Sequence, residues 1–390
     1  MKSALMENYG SPTLEFDHGK GSYLYTATGD AYLDFATGIA VNSLGHCHPA
    51  LVRALTDQAN RLWHTSNLYR IGQAEKLADR LTGLTFADRV YLCNSGTEAV
   101  EAGFKIMRRY HHDHGQPQRK RILAVSESFH GRTLAPIAAS ANPVHMEGFL
   151  PGDTGFDQVT FGDIDALEAA VTEQTAGIVI EPIQGEGGIR LVPGTYLARL
   201  RQLCDHHGLL LMYDEVQCGL ARSGTLYAYQ QSGVVPDILA SAKGLGGGFP
   251  VGACLATEEV AAVMVAGTHG STFGGNPLAS AVANAVLDEV TAPAFMTTLN
   301  DNAAYLWDAL QQLVSDHPDQ LEEITGAGLM IGVRCRIPNS ELIEALTANK
   351  LLTVKAGGNS LRLLPPLNVS REELDQALTI LTTVLTDRQS

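Results

Sequence analysis

Short apolar runs, each closed by a polar residue and separated from the next by a helical pattern, recur through the middle of this chain. They are Val90-Tyr91-Leu92-Cys93, Ile122-Leu123-Ala124-Val125, Ile178-Val179-Ile180 and Leu209-Leu210-Leu211-Met212-Tyr213. A strand buried on both faces shows no polar side, so it reads as an unbroken apolar run rather than an alternation. Helices between such strands predict a mostly parallel sheet covered by helices, an α/β fold. The intervening patterns agree. Val100, Phe104 and Met107 share one helical face after the first run, and Leu197, Leu200 and Leu203 share another before the last. Gly208 reads as the stop of that second helix.

The chain has 390 residues, more than one hydrophobic core usually serves, since single cores stop growing at roughly 250–300 residues. After Pro277 the texture changes. Leu299, Ala303, Leu306, Leu310 and Leu313 lie at helical spacing, and Leu329-Met330-Ile331-Gly332-Val333 reads as a strand. A capping box, Ser370 to Glu373, opens a final helix with Leu374, Leu378, Leu381 and Leu385 on one stripe. Tyr23-Leu24-Tyr25 and Tyr32-Leu33-Asp34-Phe35 look β-like. With no repeat or linker in between, the expectation is a large α/β domain over 46–280 and a smaller α+β domain from 1–45 and 281–390.

A formal charge of −15 argues against nucleic acid or an anionic membrane as partner, because phosphate would be repelled. The six cysteines contain no C-x-x-C pair, so neither a disulfide framework nor a zinc knuckle is expected. No apolar stretch reaches spanning length and the first residues lack a signal-peptide core, which makes the cytoplasm the expected location. His46-Cys47-His48-Pro49 carries metal-capable atoms, but adjacent ligands seldom reach one tetrahedral ion, and no metal site is expected. His111, His112 and His114 read as a solvated helix end.

Ligands of open parallel sheets bind at the carboxyl ends of the strands. Lys243 follows the run Ile238-Leu239-Ala240 and precedes Gly244-Leu245-Gly246-Gly247-Gly248. In an uncharged pocket such a lysine loses hydration and its amine becomes nucleophilic; on the surface it is a solvated charge. Asp214 closes a strand of apolar residues and needs a cationic partner there, for which a pyridinium nitrogen is one candidate. Asn94-Ser95-Gly96-Thr97, between strand and helix, can cradle a phosphate or simply cap a turn. Phe129 can stack on a flat ring and Arg132 can clamp a carboxylate, or both can be ordinary packing and surface groups.

These blocks occur together and in order: Ser95-Gly96-Thr97, Phe129-His130-Gly131-Arg132-Thr133, Glu181-Pro182-Ile183-Gln184-Gly185-Glu186-Gly187-Gly188, Asp214-Glu215-Val216-Gln217 and Ser241-Ala242-Lys243-Gly244. With His269-Gly270-Ser271-Thr272-Phe273-Gly274-Gly275-Asn276-Pro277 they resemble the class III pyridoxal-phosphate aminotransferases of fold type I. Within that class the whole chain is similar to the acetylornithine aminotransferase family.

The resemblance implies roles residue by residue. Lys243 would hold pyridoxal 5'-phosphate covalently and then move a proton, while Asp214 would sit against the pyridine nitrogen. Ser95, Gly96 and Thr97 would hold the phosphate, and Thr272 and Ser271 would reach it from the neighbouring subunit of a homodimer. Phe129 and Val216 would pack on the two faces of the ring, Gln217 would bond its 3-hydroxyl, and Glu181 would join the cofactor contacts. Arg132 would take the α-carboxylate of acetylornithine, and Tyr9 would be a further substrate contact. Arg362 would pair with Glu186 until glutamate or 2-oxoglutarate arrives, since an unpaired buried arginine is costly.

Gly38 and Ile39 stand where related ornithine enzymes carry a tyrosine, which favours a substrate with a blocked α-amine. Glu98-Ala99-Val100-Glu101 departs from the Glu-Ala-Asn-Glu of the acetylornithine group towards relatives acting on 4-aminobutyrate. Ornithine, 4-aminobutyrate and succinyl-diaminopimelate therefore remain alternative substrates, as do a semialdehyde aminomutase and a non-catalytic relative.

Overall fold

In the computed structural model, which describes residues 4–10, 12–150 and 152–388, the apolar runs assemble into one seven-stranded sheet. Numbered within this sheet in chain order, its strands are β1 (Arg89–Cys93), β2 (Arg121–Val125), β3 (Phe156–Val159), β4 (Thr175–Ile180), β5 (Leu210–Asp214), β6 (Ile238–Ser241) and β7 (Gly252–Ala256). Their lateral order is β1-β7-β6-β5-β4-β2-β3. Strand β7 runs antiparallel to β1 and β6, while the remaining pairs are parallel. Neither β3 nor β7 announces itself as an apolar run: β3 is a half-polar edge strand, and β7 is built of small residues.

Register decides where the chemistry collects. Asp214 lies opposite Ala240 across β5 and β6, and Tyr213 lies opposite Ile180 across β5 and β4. Glu181, Asp214 and Lys243 therefore leave the sheet at the same edge. The helix Gly96–Asp113 crosses one face and buries Val100, Phe104 and Met107 against it. Gly103 lets it come close, because a Cβ there would meet Met212 Sδ at 2.5 Å. Phe104 is 1 % exposed, and truncating such a side chain to alanine costs about 3–5 kcal/mol.

His111 belongs to this buried face and not to a solvated helix end. It follows Phe104 and Met107 at helical spacing, is 2 % exposed, and its Nε2 lies 2.7 Å from the carbonyl of Ala176. Burial lowers its pKa. Only His112 and His114 of the cluster face solvent.

Besides a two-stranded pair, Ile183–Gln184 with Arg190–Leu191, two four-stranded sheets are built from the two ends of the chain. One joins His18–Lys20, Tyr23–Tyr25 and Ala31–Asp34 to Leu351–Leu352, the last parallel to the third, so the two ends of the chain share a sheet. The other orders Leu321–Ala327, Met330–Cys335, Ser360–Leu363 and Val354–Ala356. The final helix, Arg371–Asp387, carries both bonds of the capping box and buries Leu374, Leu381 and Leu385. Residue 280 lies inside the helix Pro277–Val290, which packs on the helices Pro49–Ala59 and Gly72–Leu84. Among the described residues no helix is long and apolar enough to cross a membrane.

Candidate active site

A cavity of about 400 Å³ opens at the carboxyl edge of the large sheet, between the ends of β2, β4, β5 and β6. Lys243 lines it, two residues past β6, with φ 45°. The left-handed conformation costs a residue with a Cβ roughly 1–2 kcal/mol, and strain of this kind persists only where surrounding structure enforces it. Burial lowers the pKa of the lysine, and the charge of Arg362 lowers it further. Glu186, Asp214 and Glu181 oppose that shift. The net shift favours the neutral amine.

Asp214 is 3 % exposed and has work for both oxygens. Oδ1 accepts the backbone N–H of Val216 at 3.0 Å, and Oδ2 lies 2.8 Å from His130 Nδ1. Burial alone would lower the imidazole pKa, but the bond to Asp214 and the charges of Asp214 and Glu181 outweigh it and raise the net value. The contact with Asp214 therefore favours the protonated form of the imidazole. His130 Nε2 is buried without a partner among the described residues. Glu181 accepts the N–H groups of Phe129 at 3.0 Å and Gly185 at 3.2 Å, and burial pushes its carboxyl up to about 7.

The start of the helix Gly96–Asp113 forms another wall. Ser95 caps it, its hydroxyl accepting the N–H of Glu98 at 3.3 Å, while Glu98 takes the N–H of Asn94 at 2.5 Å. A Cβ on Gly96 would sit 2.7 Å from Val216 Cγ1, so only glycine leaves the cradle open. Thr97 lines the cavity with its hydroxyl 2.9 Å from that of Thr133.

Phe129, Val216 and Gln217 also line the cavity, and Arg132 lies at its mouth with its guanidinium 5.5 Å from the Phe129 ring centre. Behind Gln217 stands Arg362, 1 % exposed, whose Nη1 donates to Gln217 Oε1 and Glu186 Oε1, both at 3.0 Å. Its Nη2 donates to the carbonyl of Lys355 at 3.0 Å. Ser271 is tied to the cradle through Asn94, whose Nδ2 donates to Ser271 Oγ at 3.1 Å. Thr272 is exposed and away from the cavity of its own chain. Tyr9, 91 % exposed, is not brought to the site.

Sequence reasoning assigned no role to His130, although it sits inside the block that carries Phe129 and Arg132. It singled out Gly38 and Ile39 for substrate choice but did not foresee the conformation of Thr37–Ala40, where four consecutive residues have φ of 47°, 63°, 66° and 60°. This left-handed turn hangs from Asp34, whose Oδ1 accepts the N–H groups of Ala36 and Thr37 at 2.9 Å. It delivers Val41 to the cavity wall. Asp34 Oδ2 engages His46 Nε2 at 2.7 Å, which gives that histidine a structural partner.

A lysine of lowered pKa, a carboxylate held against a buried imidazole and a helix N-terminus around one cavity define a pyridoxal-phosphate enzyme of fold type I, and this chain belongs to the class-III aminotransferases. The family model for aminotransferase class-III matches residues 5–385. The acetylornithine aminotransferase of Mesorhizobium japonicum is 56 % identical over 96 % of this chain and 94 % of its own length. That of Agrobacterium fabrum is 53 % identical over 96 % of this chain and 94 % of its own. Among solved structures, ornithine aminotransferase from Toxoplasma gondii superposes with a TM-score of 0.94 at 32 % identity, over 99 % of this chain and 93 % of that one. N-acetylornithine aminotransferase from Stenotrophomonas maltophilia gives 0.86 at 35 % identity, over 98 % of each. The residues present fit the cofactor: the open cradle at Gly96 suits its phosphate, and the apolar side chains of Phe129 and Val216 in the cavity wall suit its ring.

Proposed function

We propose that this chain exchanges an amino group between N2-acetyl-L-ornithine and 2-oxoglutarate, with N-acetylglutamate 5-semialdehyde and L-glutamate as the other pair, in cytoplasmic arginine biosynthesis. The observation that carries the reading is Arg362, buried and neutralised by Glu186 at 3.0 Å while Arg132 stands free at the mouth. A site that alternates between a substrate with one carboxylate and another with two needs one permanent cation and one that can be masked. The relatives at 56 % and 53 % identity, both acetylornithine aminotransferases, support the choice of substrate.

When bound, pyridoxal phosphate supplies an electron sink for the carbon that loses its proton. The chain supplies the rest. The N–H groups of Gly96 and Thr97 at a helix N-terminus hold phosphate charge. Asp214, held by His130, would stabilise a proton on the ring nitrogen, and Phe129 and Val216 would confine the ring. Lys243 would anchor the cofactor, and its amine, once displaced by the amino group of the substrate, would take the proton from the amino-bearing carbon of the substrate and deliver it to the cofactor carbon that Lys243 had held; its lowered pKa favours the neutral amine this needs. Arg132 clamps the α-carboxylate of acetylornithine. For glutamate or 2-oxoglutarate, Arg362 leaves Glu186 and takes the α-carboxylate, and Arg132 takes the distal one.

The working unit is a homodimer in which Ser271 and Thr272 complete the partner's phosphate site. Supporting this, exposed Trp63, Leu68, Tyr69 and Phe273 cluster beside that segment, where Asn67 Nδ2 donates to the carbonyls of Ser271 at 3.0 Å and Gly274 at 3.2 Å. Apolar patches of this kind mark association surfaces. The same reading divides the chain into 46–280 and a second body from 1–45 and 281–390.

A panel of amino donors with 2-oxoglutarate as acceptor tests the assignment. Acetylornithine should exceed ornithine, 4-aminobutyrate and succinyl-diaminopimelate in kcat/KM by about tenfold or more, a difference of about 1.4 kcal/mol. A better rate with any of these rivals, or turnover of a semialdehyde without an acceptor, overturns it.

A further inference from the structure

Arg222 is 2 % exposed, yet among the described residues no carboxylate pairs with it. Burial alone pulls its pKa down to about 9, and its Nη2 has no partner. A lone charge in such a place is costly, and an apolar side chain of similar length would avoid that cost. What the guanidinium does there is specific. Its Nη1 donates to the carbonyl of Pro365 at 2.6 Å and to that of Leu329 at 3.1 Å. The Leu329 N–H returns a bond to the Arg222 carbonyl at 3.0 Å.

Both carbonyls belong to the frame of Arg362. Pro365 lies just past the strand Ser360–Leu363 that carries Arg362, and Leu329 opens the way into Met330–Cys335, where Gly332 is paired with Arg362. From the other side the left-handed turn holds the same stretch: Thr37 Oγ1 donates to the carbonyl of Leu364 at 2.9 Å, and Leu364 N–H donates to Phe35 at 2.7 Å. Arg222 also ends the loop that starts at Asp214 and includes Gln217, itself bonded to Arg362.

We propose that Arg222 is a positioning residue for Arg362. It ties the strand end to the cofactor loop, so that the Arg362 guanidinium can exchange Glu186 for a substrate carboxylate while its backbone stays in place. The inference rests on the reading of Arg362 given under the proposed function. A guanidinium suits the task because the two N–H bonds of Nη1 reach the two carbonyls at once from a rigid plane.

Single-turnover half-reactions of the cofactor-loaded enzyme test it in Arg222→Met and Arg222→Lys, with Arg362→Gln as reference. Misplacing a binding group by about 1 Å can cost about 100-fold. Arg222→Met should therefore weaken glutamate and 2-oxoglutarate about ten- to 100-fold and change the acetylornithine half-reaction less than about threefold. Arg222→Lys, which keeps the charge and one donor nitrogen but not the rigid guanidinium plane, should fall between Met and wild type. If Arg222→Met does not load cofactor, the ratio of half-reactions in Arg222→Lys decides alone. Equal weakening of both half-reactions, or no change in either, overturns the positioning role when Arg362→Gln still separates them. If Arg362→Gln fails to separate them, the reading of Arg362 falls and this inference falls with it.

Discussion

Replacing Glu186 by alanine isolates the device that lets one cavity serve two unlike substrates. Arg362 is 1 % exposed, but the Glu186 side chain is 41 % exposed, so their 3.0 Å pair is only partly shielded from water. Hydrogen bonds to charged groups contribute about 1.5–3 kcal/mol, whereas exposed ion pairs contribute about 0–1 kcal/mol. An intermediate value of about 1 kcal/mol is the competition that glutamate must overcome, and removing it should tighten glutamate about fivefold. Acetylornithine should move the other way. With no carboxylate beside it, Arg362 keeps only Gln217 and the Lys355 carbonyl as partners while facing the uncharged part of this substrate. A similar penalty of about 1 kcal/mol would weaken acetylornithine about fivefold, so the preference should shift about 25-fold in total. Single-turnover absorbance changes measure each half-reaction separately from product release. Arg362→Gln should show the reverse pattern. Slowing of both half-reactions by one common factor in Glu186→Ala would refute the switch and leave the pair a structural contact.

Four further outcomes are expected. Borohydride reduction followed by peptide mapping should place the cofactor adduct on Lys243, and an adduct on another lysine would end that assignment. Asp214→Asn should still bind cofactor but lose about 100- to 1,000-fold in rate, as when other electrostatic stabilisation is removed; near-normal turnover would exclude its role. Inactive Lys243→Ala chains mixed with disabled Thr272→Ala chains should recover activity in hybrid dimers, whereas a fully active monomer in sizing experiments would contradict a shared site. Glu215 is 1 % exposed, accepts the N–H groups of Ala228 at 2.5 Å and Tyr229 at 2.9 Å, and is pushed by burial up to about 7 from 4.5. Because the folded chain holds that proton more tightly than the unfolded one, the contribution is full below about pH 4.5 and lost as pH rises through about 7. It amounts to at most about 3 kcal/mol. The Tm of Glu215→Gln should therefore gain on wild type as pH rises from about 4.5 to about 7, and parallel Tm curves over that range would refute this.

Local pattern was enough for much of the molecule. An apolar run needs only its own residues to become a central strand, and the stripe from Leu374 to Leu385 needs only its period to become a helix. Since strand ends hold ligands in such sheets, Asp214 and Lys243 were legible as a pair before any contact was known. The capping box at Ser370 and Glu373 and the stop at Gly208 are bonds within a few residues, and both are present. Other features depend on residues distant in the chain. His111 is buried because its helix turns that face to the sheet, and the pKa of His130 is raised because Asp214, 84 residues away, lies 2.8 Å from it. Strand β7 is recognised by its antiparallel neighbours rather than by its small side chains. The left-handed turn at Thr37–Ala40 carries a single glycine, so little in its composition foretells four positive φ values; Asp34 and Leu364 hold it. Arg222 reads as any surface arginine until Leu329 and Pro365 close around it. Sequence by itself determined which segments become strands and helices, because that follows from the period of apolar side chains. Which polar groups are buried, which protons they keep and which strain is tolerated were decided only by tertiary structure, since desolvation and Coulomb energy depend on distance in space.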